Sequence, residues 1–230
     1  MSSAPTQLSA PTVLTLAQIA GDELQDAILS GRLPAGSPLR LEETARALGM
    51  SASPVREALR ELGRLGLVVH VPHKGAHVAE LSPEDLRDTY DVRLLLETRA
   101  VWLAAERFSA EAEAAAEGHL AAYEAALRAS AMRQARDAHS GFHFALYAAS
   151  GSPWLLRLIR PVWENSERYR FMTAASAGAL RERDLEHRQI LAACVELDAE
   201  RAAALLHDHL SATVSRVSKH MGGVKHDIAI

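Results

Sequence analysis

Residues 41–66 have the sequence LEETARALGMSASPVREALRELGRLG, the most informative stretch of the chain for its architecture. Its first eight residues place apolar side chains at helical spacing and stop at Gly49, which favours a helix end. A second helix follows a tight turn, with Pro54 in its first turn, where proline is tolerated. The apolar face of this second helix consists of Val55, Leu59, Leu62 and Leu65. Two helices joined by a tight turn are typical of a helix-turn-helix, whose second helix enters the DNA major groove.

The flanking residues extend this pair to a larger unit. Apolar residues recur with a period near 3.6 from residue 16 onward, which predicts an amphipathic helix ending at Gly31. Residues 32–38 (RLPAGSP) predict a turn. After the helix pair, residues 67–81 (LVVHVPHKGAHVAEL) predict a two-stranded hairpin with its turn at 72–75. This order of elements is that of a winged helix-turn-helix.

Beyond residue 80 the composition changes to Ala, Leu, Glu and Arg with few helix breakers, which favours helices. Ser82, Pro83 and Asp85 resemble a helix start, with a capping residue followed by proline. The predicted helices cover about 83–107, 110–129, 132–149, 152–173, 178–196 and 198–220. We therefore predict a mainly α fold, in which a winged helix-turn-helix precedes an all-α antiparallel bundle of about six helices. The predicted division is a disordered arm (1–12), the DNA-binding domain (13–80), the helical domain (81–222) and a tail (223–230).

Bulk properties exclude several classes of protein. A net charge of −4 is unlike that of a protein that coats nucleic acid nonspecifically, so DNA binding must come from a local patch. No apolar run approaches the ~18 residues of a membrane span, and the first twelve residues lack the features of a secretion signal. Cys194 is the only cysteine, which excludes an intrachain disulfide and suits the cytoplasm. Its apolar surroundings in the sequence predict a small buried side chain rather than a reactive thiol.

The third predicted helix carries the candidate DNA contacts. Arg56, Arg60 and Arg64 share its polar face, although ion pairs with nearby glutamates are an alternative use of these side chains. Small residues at the helix start leave backbone N–H groups for phosphate oxygens, and a guanidinium one turn later can bind guanine or phosphate. A lysine and a glycine at the hairpin tip can approach the DNA backbone closely. The predicted DNA-binding residues are Ser51, Ser53, Arg56, His73, Lys74 and Gly75.

Four of the eleven histidines predict a metal site. His139 and His143 lie four residues apart on one helix face, while His187 and His209 lie in two later helices. Each histidine alone is more often a surface or core residue, but helical bundles build metal sites from such sets on facing helices. A hydrolytic metalloenzyme is the rival interpretation. It lacks an acidic residue placed as an evident general base, so we predict that the chain is not an enzyme.

From Ala27 to Val78 the chain resembles the DNA-binding domain of the GntR family. The matching motifs are I-x-x-G-x-L-x-x-G, L-x-E-x-x-A-x-x-L-G, S-x-S-P-V-R-E-A-L-x-x-L-x-x-x-G-L-V and G-A-x-V. Family members commonly carry Arg between the two small residues at the helix start, where this chain has Ala52. The resemblance implies a dimeric transcription regulator, more often a repressor, that binds near-palindromic double-stranded operator DNA.

Residues 83–220 resemble the FCD sensor domain of the FadR branch of that family, through YDVRLLLE, F-H-x-x-L-Y-x-A-S-G-S-P-W-L-L and E-H-x-x-I-L. Many such domains bind one metal through Asp and three His, and His143, His187 and His209 match the three histidines. Position 139 holds His instead of the family's Asp. Four nitrogen ligands would suit Zn²⁺, or Ni²⁺, better than Mn²⁺ or Mg²⁺. Alternatively His139 stays unligated and water, the effector or Asp137 takes the fourth place, although Asp137 lies about 200° round the helix.

The same resemblance implies a cavity above the metal for a small carboxylic acid that modulates operator affinity. Arg93 is the candidate effector residue, because a buried arginine can bind a carboxylate with two hydrogen bonds. An intrahelical pair with Glu97 is the equally weighted alternative. Arg168, Tyr169 and Arg170 are further candidates for the pocket or the surface, of which the surface is favoured. A direct metal sensor, in which the ion is itself the effector, stays open as an alternative function.

Overall fold

The computed structural model describes residues 14–171 and 177–221, apart from the side chains of 171 and 177–184. The predicted arm at 1–12 and the predicted tail at 223–230 lie outside the described residues. Within the described part, the chain has the predicted mainly α fold, with an N-terminal winged helix-turn-helix followed by a helical bundle.

The N-terminal elements follow the predicted order. They are α1 (Leu16–Leu29), β1 (Pro38–Leu39), α2 (Leu41–Leu48), α3 (Ala52–Arg64), β2 (Val68–Val71) and β3 (Gly75–Val78). Thr15 caps α1 in a capping box with Gln18, which satisfies two backbone donors at the helix start. Gly49 ends α2 with φ +65°, a left-handed conformation that glycine adopts at little cost. Their buried side chains form one apolar core that includes Leu24, Val55 and Leu62.

The wing differs from the prediction, because it has three strands instead of two. β3 lies between β2 and β1, and Pro38 and Leu39 pair with His77 and Ala76. The predicted turn over 32–38 therefore included Pro38, which belongs to β1, and β1 itself was not predicted. Two residues that begin with proline carry no period-2 signal, and the partner strand lies far along the chain. Leu39 is buried, so β1 also closes the core of this domain.

The helical bundle consists of α4 (Pro83–Ala105), α5 (Ala110–Arg128), α6 (Met132–Ala148), α7 (Pro153–Phe171), α8 (Ala177–Val195) and α9 (Ala199–His220). Ser82 caps α4 by accepting from the backbone N–H of Asp85, as predicted. The apolar core lies between these helices and includes Tyr90, Phe142, Trp163 and Leu206. Cys194 is also buried there, and burial raises the pKa of its thiol to about 12, so the prediction of an unreactive core side chain is confirmed. No helix in the described part of the chain is long and apolar enough to cross a lipid bilayer.

The alanine-rich α5 packs against α6 with buried Ala116, Leu120 and Ala126. One side of α5 is therefore part of the packed interior of the bundle.

The two domains meet along α1, α6 and α7. Gln25 on α1 donates to Glu164 on α7 at 2.5 Å, and Asp26 accepts from Arg136 on α6 at 2.6 Å. Arg168 donates to the carbonyl oxygen of Ala79 at 2.8 Å, which holds the connector that precedes α4. Helices that build the bundle therefore also position the N-terminal domain.

Candidate metal centre and nucleic-acid interface

The four predicted histidines come together in the centre of the bundle. His139 and His143 project from α6, His187 from α8 and His209 from α9, and all four are buried. One ring nitrogen from each lies within 4.8 Å of the others. The i,i+4 spacing on α6 places two rings on one face, and only the packing of α8 and α9 brings the other two to them.

The spacing of the nitrogens fits a small divalent ion. The Nε2 atoms of His139 and His143 each lie 3.2 Å from Nε2 of His187. Two nitrogens on a tetrahedral zinc with bonds of about 2.0–2.1 Å are about 3.3–3.4 Å apart. An all-nitrogen set is also the ligand chemistry that zinc, nickel and copper prefer.

His209 is oriented by an acidic residue outside the cluster. Its Nδ1 lies 2.6 Å from Oε2 of Glu186, which also accepts from Arg216 at 3.1 Å. Partial burial would raise the pKa of the Glu186 carboxyl, but hydrogen bonds from His209 and Arg216 lower it to about 2. The ionised carboxylate therefore fixes the orientation and proton position of the His209 ring, as outer carboxylates do in zinc sites.

His143 begins a chain of buried hydrogen bonds. Its Nδ1 lies 3.1 Å from the hydroxyl of Tyr147, which donates to Glu97 at 2.6 Å. Glu97 in turn accepts two hydrogen bonds from Arg93, at 2.6 and 3.1 Å. All four residues of this chain are buried, and the chain connects α6 to α4, so the orientation of His143 depends on α4.

His139 has a different partner, because its Nδ1 accepts a hydrogen bond from Arg170 on α7. Its ring also stacks on Trp163, with the ring centres 5.5 Å apart. Arg170 is further paired with Glu167 at 2.8 Å. A cation, rather than a carboxylate or a hydroxyl, therefore fixes the orientation of His139.

Three of the histidines, His139, His143 and His209, are held in the neutral form that metals require. Burial lowers the pKa of His139 and His143 well below 6.5, and the positive charge of Arg170 and the neighbouring imidazoles add to this. Burial also lowers the pKa of His209, although Glu186 opposes the change. Neutral imidazoles bind a metal without first releasing a proton.

The remaining predicted residues have different environments. Arg93 is 2% exposed and forms an ion pair with Glu97 on the same helix. Of the two roles considered for Arg93, the structure shows this intrahelical pair. Its guanidinium also lies between the rings of Tyr90 and Trp163. Asp137 is exposed and is not part of the histidine cluster.

The prediction that Arg168 and Tyr169 lie on the surface is wrong, since both are buried. Arg168 donates to the connector carbonyl of Ala79, and the Tyr169 hydroxyl donates to Asp85 at 2.6 Å. The two arginines on either side of Tyr169 suggest exposure, but here the connector between the domains covers Arg168 and Tyr169.

The outer partners Tyr147, Glu186, Arg170 and Arg216 were not assigned to the metal centre from the sequence. Tyr147 lies four residues after His143, a helical spacing that could have identified it. Glu186 carries no such signal, because it meets His209 and Arg216 only through the packing of α8 and α9.

The predicted DNA-binding residues lie on the surface of the N-terminal domain. Ser51 is the N-cap of α3, but its side chain makes no capping hydrogen bond. Ser53 and Arg56 are exposed, and Arg56 has no ion-pair partner among the described residues. Arg64, by contrast, pairs with Glu61, as the alternative interpretation expected. The start of α3 thus combines backbone donors with an unpaired guanidinium.

The tip of the wing is equally accessible. A hydrogen bond from Lys74 N–H to the carbonyl of Val71 closes the turn. His73 and Gly75 have φ values of +62° and +84°, and His73, Lys74 and Gly75 are all exposed. The turn therefore projects a lysine and a histidine from the domain on a short, tightly folded loop.

Comparison with known proteins gives matches over both parts of the chain. The family described as "Bacterial regulatory proteins, gntR family" matches residues 16–78, and the FCD domain matches residues 88–212. The chain is similar to the HTH-type transcriptional repressor GlaR of Escherichia coli (strain K12), with 31% identity over 87% of this chain and 94% of that protein. It is also similar to the "Probable D-xylose utilization operon transcriptional repressor" of Paenarthrobacter nicotinovorans, with 34% identity over 93% of each chain. Among solved structures, E. coli McbR/YncC aligns with a TM-score of 0.79 and 25% identity, over 91% of this chain and all of that one.

Proposed function

The chain belongs to the gntR family of bacterial regulatory proteins and carries an FCD domain, and from this premise we propose that it is a metal-containing repressor controlled by a small carboxylate. It is a DNA-binding transcriptional regulator and not an enzyme, as predicted. The observation that carries the proposal is the cluster of four buried histidines in the domain that follows the winged helix. Both relatives named above are described as repressors, which supports the proposed sign of regulation.

The proposed cofactor is one divalent ion per subunit, with Zn²⁺ first and Ni²⁺ as the alternative. His143, His187 and His209 would hold it, with His139 as the fourth member of the cluster. Imidazole nitrogens favour these ions over Mg²⁺ and Mn²⁺, which prefer oxygen ligands. The ion would fix the relative positions of α6, α8 and α9 and offer a Lewis-acidic centre to an anionic effector.

The proposed DNA contacts are the start of α3 and the tip of the wing. Ser51 and Ser53 would bind phosphate oxygens, while Arg56 would reach a base edge or phosphate in the major groove. His73, Lys74 and Gly75 would lie against the DNA backbone. Ala52 offers no polar contact, so we expect the operator to be bound without the base or phosphate contact that an arginine at this position could make.

We propose a small organic acid as effector, bound near the metal in the cytoplasm. Effector and DNA would favour different arrangements of the two domains, so each would weaken the binding of the other. Arg93 is the candidate carboxylate partner, and binding in this way requires it to exchange its bond with Glu97 for one with the ligand. Because Glu97 holds Arg93 in a two-point pair, the direct metal sensor is the second candidate.

A homodimer is the proposed assembly, because a two-fold operator is matched by a two-fold protein. Exposed apolar side chains on α4 and α7, two helices that pack together, support this assembly. They are Val92, Leu95, Trp154 and Leu158. We call this set the α4–α7 face and propose that it contacts the second copy.

Metal analysis and gel shifts with DNA from upstream of the gene test the regulator and its metal together. We expect bound zinc or nickel, loss of it on chelation and a change in operator affinity. The Arg56→Ala variant should bind the operator about tenfold or more weakly, whereas Arg128→Ala, an exposed arginine far along the chain on α5, should not. Chelation without effect on metal content or DNA binding would refute the metal part, and equal binding by both variants would refute the DNA-contact part.

The two candidate effectors are separated by one comparison. If the metal-loaded protein releases the operator only after an organic acid is added, the carboxylate is the effector. If metal loading alone changes operator affinity and no acid from a thermal-shift screen adds to it, the ion is the effector.

A further inference from the structure

The four imidazoles do not offer the same group to the centre of the cluster, because their outer partners fix where each ring carries its proton. A carboxylate can only accept a hydrogen bond, and a guanidinium can only donate one. Each neutral ring has one N–H and one lone pair. The identity of the outer partner therefore determines which of the two faces inward.

Two rings turn a lone pair inward. Glu186 accepts from Nδ1 of His209, so Nε2 of that ring carries no proton. The hydroxyl of Tyr147 gives its proton to Glu97 and must accept from Nδ1 of His143, which again leaves a lone pair on Nε2. In both cases the outer partner prepares Nε2 to bind a metal.

His139 is the reverse case. Its Nδ1 accepts from Arg170, so its proton is on Nε2. That Nε2 lies 3.2 Å from Nε2 of His187, which must accept and therefore also presents a lone pair. The cluster thus contains three inward lone pairs, on His143, His187 and His209, and one inward N–H.

We infer that His139 is a hydrogen-bond donor beside the metal and not a ligand, and that Arg170 is the residue that holds it in this role. The inference rests on the proposed metal and makes it specific: three imidazoles bind the ion, and an oxygen ligand completes the coordination. When His187 turns to the metal, the N–H of His139 is released to donate to that oxygen. The oxygen of water or of a small carboxylate can accept this hydrogen bond, whereas the N–H of another imidazole can only donate.

The number of imidazoles on the metal tests this directly. X-ray absorption spectra of the zinc-loaded full-length protein should give three imidazoles and one oxygen in the wild type. His139→Phe keeps a flat ring but no N–H, and it should also give three. His187→Gln is the matched ligand variant. It should lose more than about 100-fold in zinc affinity, while His139→Phe loses less than about tenfold.

Variants of Arg170 give a second test. If Arg170 had only a structural role, replacing it would not change the number of imidazoles on the metal. Arg170→Lys keeps a donor to Nδ1 and should leave three imidazoles. Arg170→Met removes the donor, which allows the proton to move to Nδ1 and His139 to ligate, so the count should rise to four. Acetate, as the oxygen-ligand probe on the cobalt-loaded protein, should bind about three- to tenfold more weakly to His139→Phe than to the wild type.

The outcomes separate this inference from the proposed function. Four imidazoles in the wild type that fall to three in His139→Phe would overturn the inference and leave the metal-containing regulator intact. A protein that retains no zinc, nickel or cobalt would overturn the proposed metal and the inference with it. If Arg170→Met does not fold, the imidazole count and the zinc affinity of His139→Phe still test the inference, because they do not depend on that variant.

Discussion

Glu186 contacts the proposed metal centre without being a predicted ligand. It accepts from His209 at 2.6 Å and from Arg216 at 3.1 Å, and its neighbour in the chain is the ligand candidate His187. Because the carboxylate holds the His209 proton on Nδ1, it keeps Nε2 ready for a metal.

We predict that Glu186→Gln lowers metal affinity by about 10- to 100-fold, because a neutral amide stabilises the required form of His209 less than a carboxylate does. Competition with a chromophoric chelator measures the affinity. Glu117→Gln, at an exposed position on α5, is the control and should bind metal like the wild type. Equal affinity in the two variants would show that Glu186 has no part in the centre.

At the scale of single elements, α7 contacts both the histidine cluster and the connector between the domains. Ser166 and Arg170 face the centre through Arg93 and His139. Asn165 and Arg168 face the wing and the connector, and Gly66 is close to the Asn165 side chain. A shift of α7 would therefore change its contacts with both the histidine cluster and the connector. A helix with contacts of this kind can couple effector binding to DNA binding.

The junction of α1 with α6 predicts a pH dependence. Partial burial raises the pKa of Asp26, but hydrogen bonds from Arg136 and Arg32 outweigh it, so the pKa lies below its usual value. A carboxyl with a lowered folded-state pKa stabilises the protein above its unfolded pKa of about 3.9, and this contribution is lost as the pH falls through the folded value.

We expect Asp26→Asn to be less stable than the wild type by about 1 kcal/mol at pH 7, with the difference constant above pH about 5 and shrinking below pH about 4. Urea unfolding at several pH values measures it. Asp208→Asn, an exposed position on α9, should show no such difference. A gap between Asp26→Asn and wild type that widens on acidification would contradict the assignment.

The contact between α5 and α6 depends on a glycine. A Cβ atom at Gly141 would lie 2.3 Å from Nδ1 of His119, which is closer than real contacts allow. Alanine is otherwise favoured over glycine in a helix by about 1 kcal/mol.

We therefore compare the change in the free energy of unfolding caused by Gly141→Ala in two backgrounds. It should be about 0.5–1 kcal/mol less favourable in the wild type than in His119→Ala, because that variant lacks the ring but keeps the higher helix propensity of alanine. Thermal or urea unfolding of the four proteins of this cycle gives the difference. Additive effects would mean that the ring turns aside at no cost.

At the scale of the whole molecule, the α4–α7 face is the proposed contact between two copies. Leu95 is 74% exposed on this face, and a charge there would be buried without a partner in the dimer. We expect Leu95→Glu to shift the protein toward the monomer in analytical ultracentrifugation and to weaken operator binding, since one half-site is then held by one subunit.

Leu197→Glu is the control for that variant, because Leu197 is a similarly exposed leucine in the turn between α8 and α9. It should leave the assembly state unchanged. A dimeric Leu95→Glu protein would move the proposed contact to another surface.

The sequence was sufficient where the signal is local. Helical periodicity and breakers such as Gly49 are enough to locate the helices, and an ordered run of motifs is enough to identify the winged helix and the FCD domain. The histidine set could also be predicted, because two members share a helix face and the others match a family motif. β1, the burial of Arg168 and the surroundings of Arg93 depend on partners far along the chain, which no local pattern reports.

Only the tertiary structure decided what surrounds each imidazole. The sequence placed His139, His143, His187 and His209 on three helices. The packing of α4, α7 and α8 then brought Glu97, Arg170 and Glu186 to the cluster, where Arg170 and Glu186 bind a ring directly and Glu97 acts through Tyr147. The physical reason is that a side chain's periodicity reveals which way it faces on its own helix. The proton position and the charge beside a buried ring depend on the partner that another helix brings within hydrogen-bonding distance.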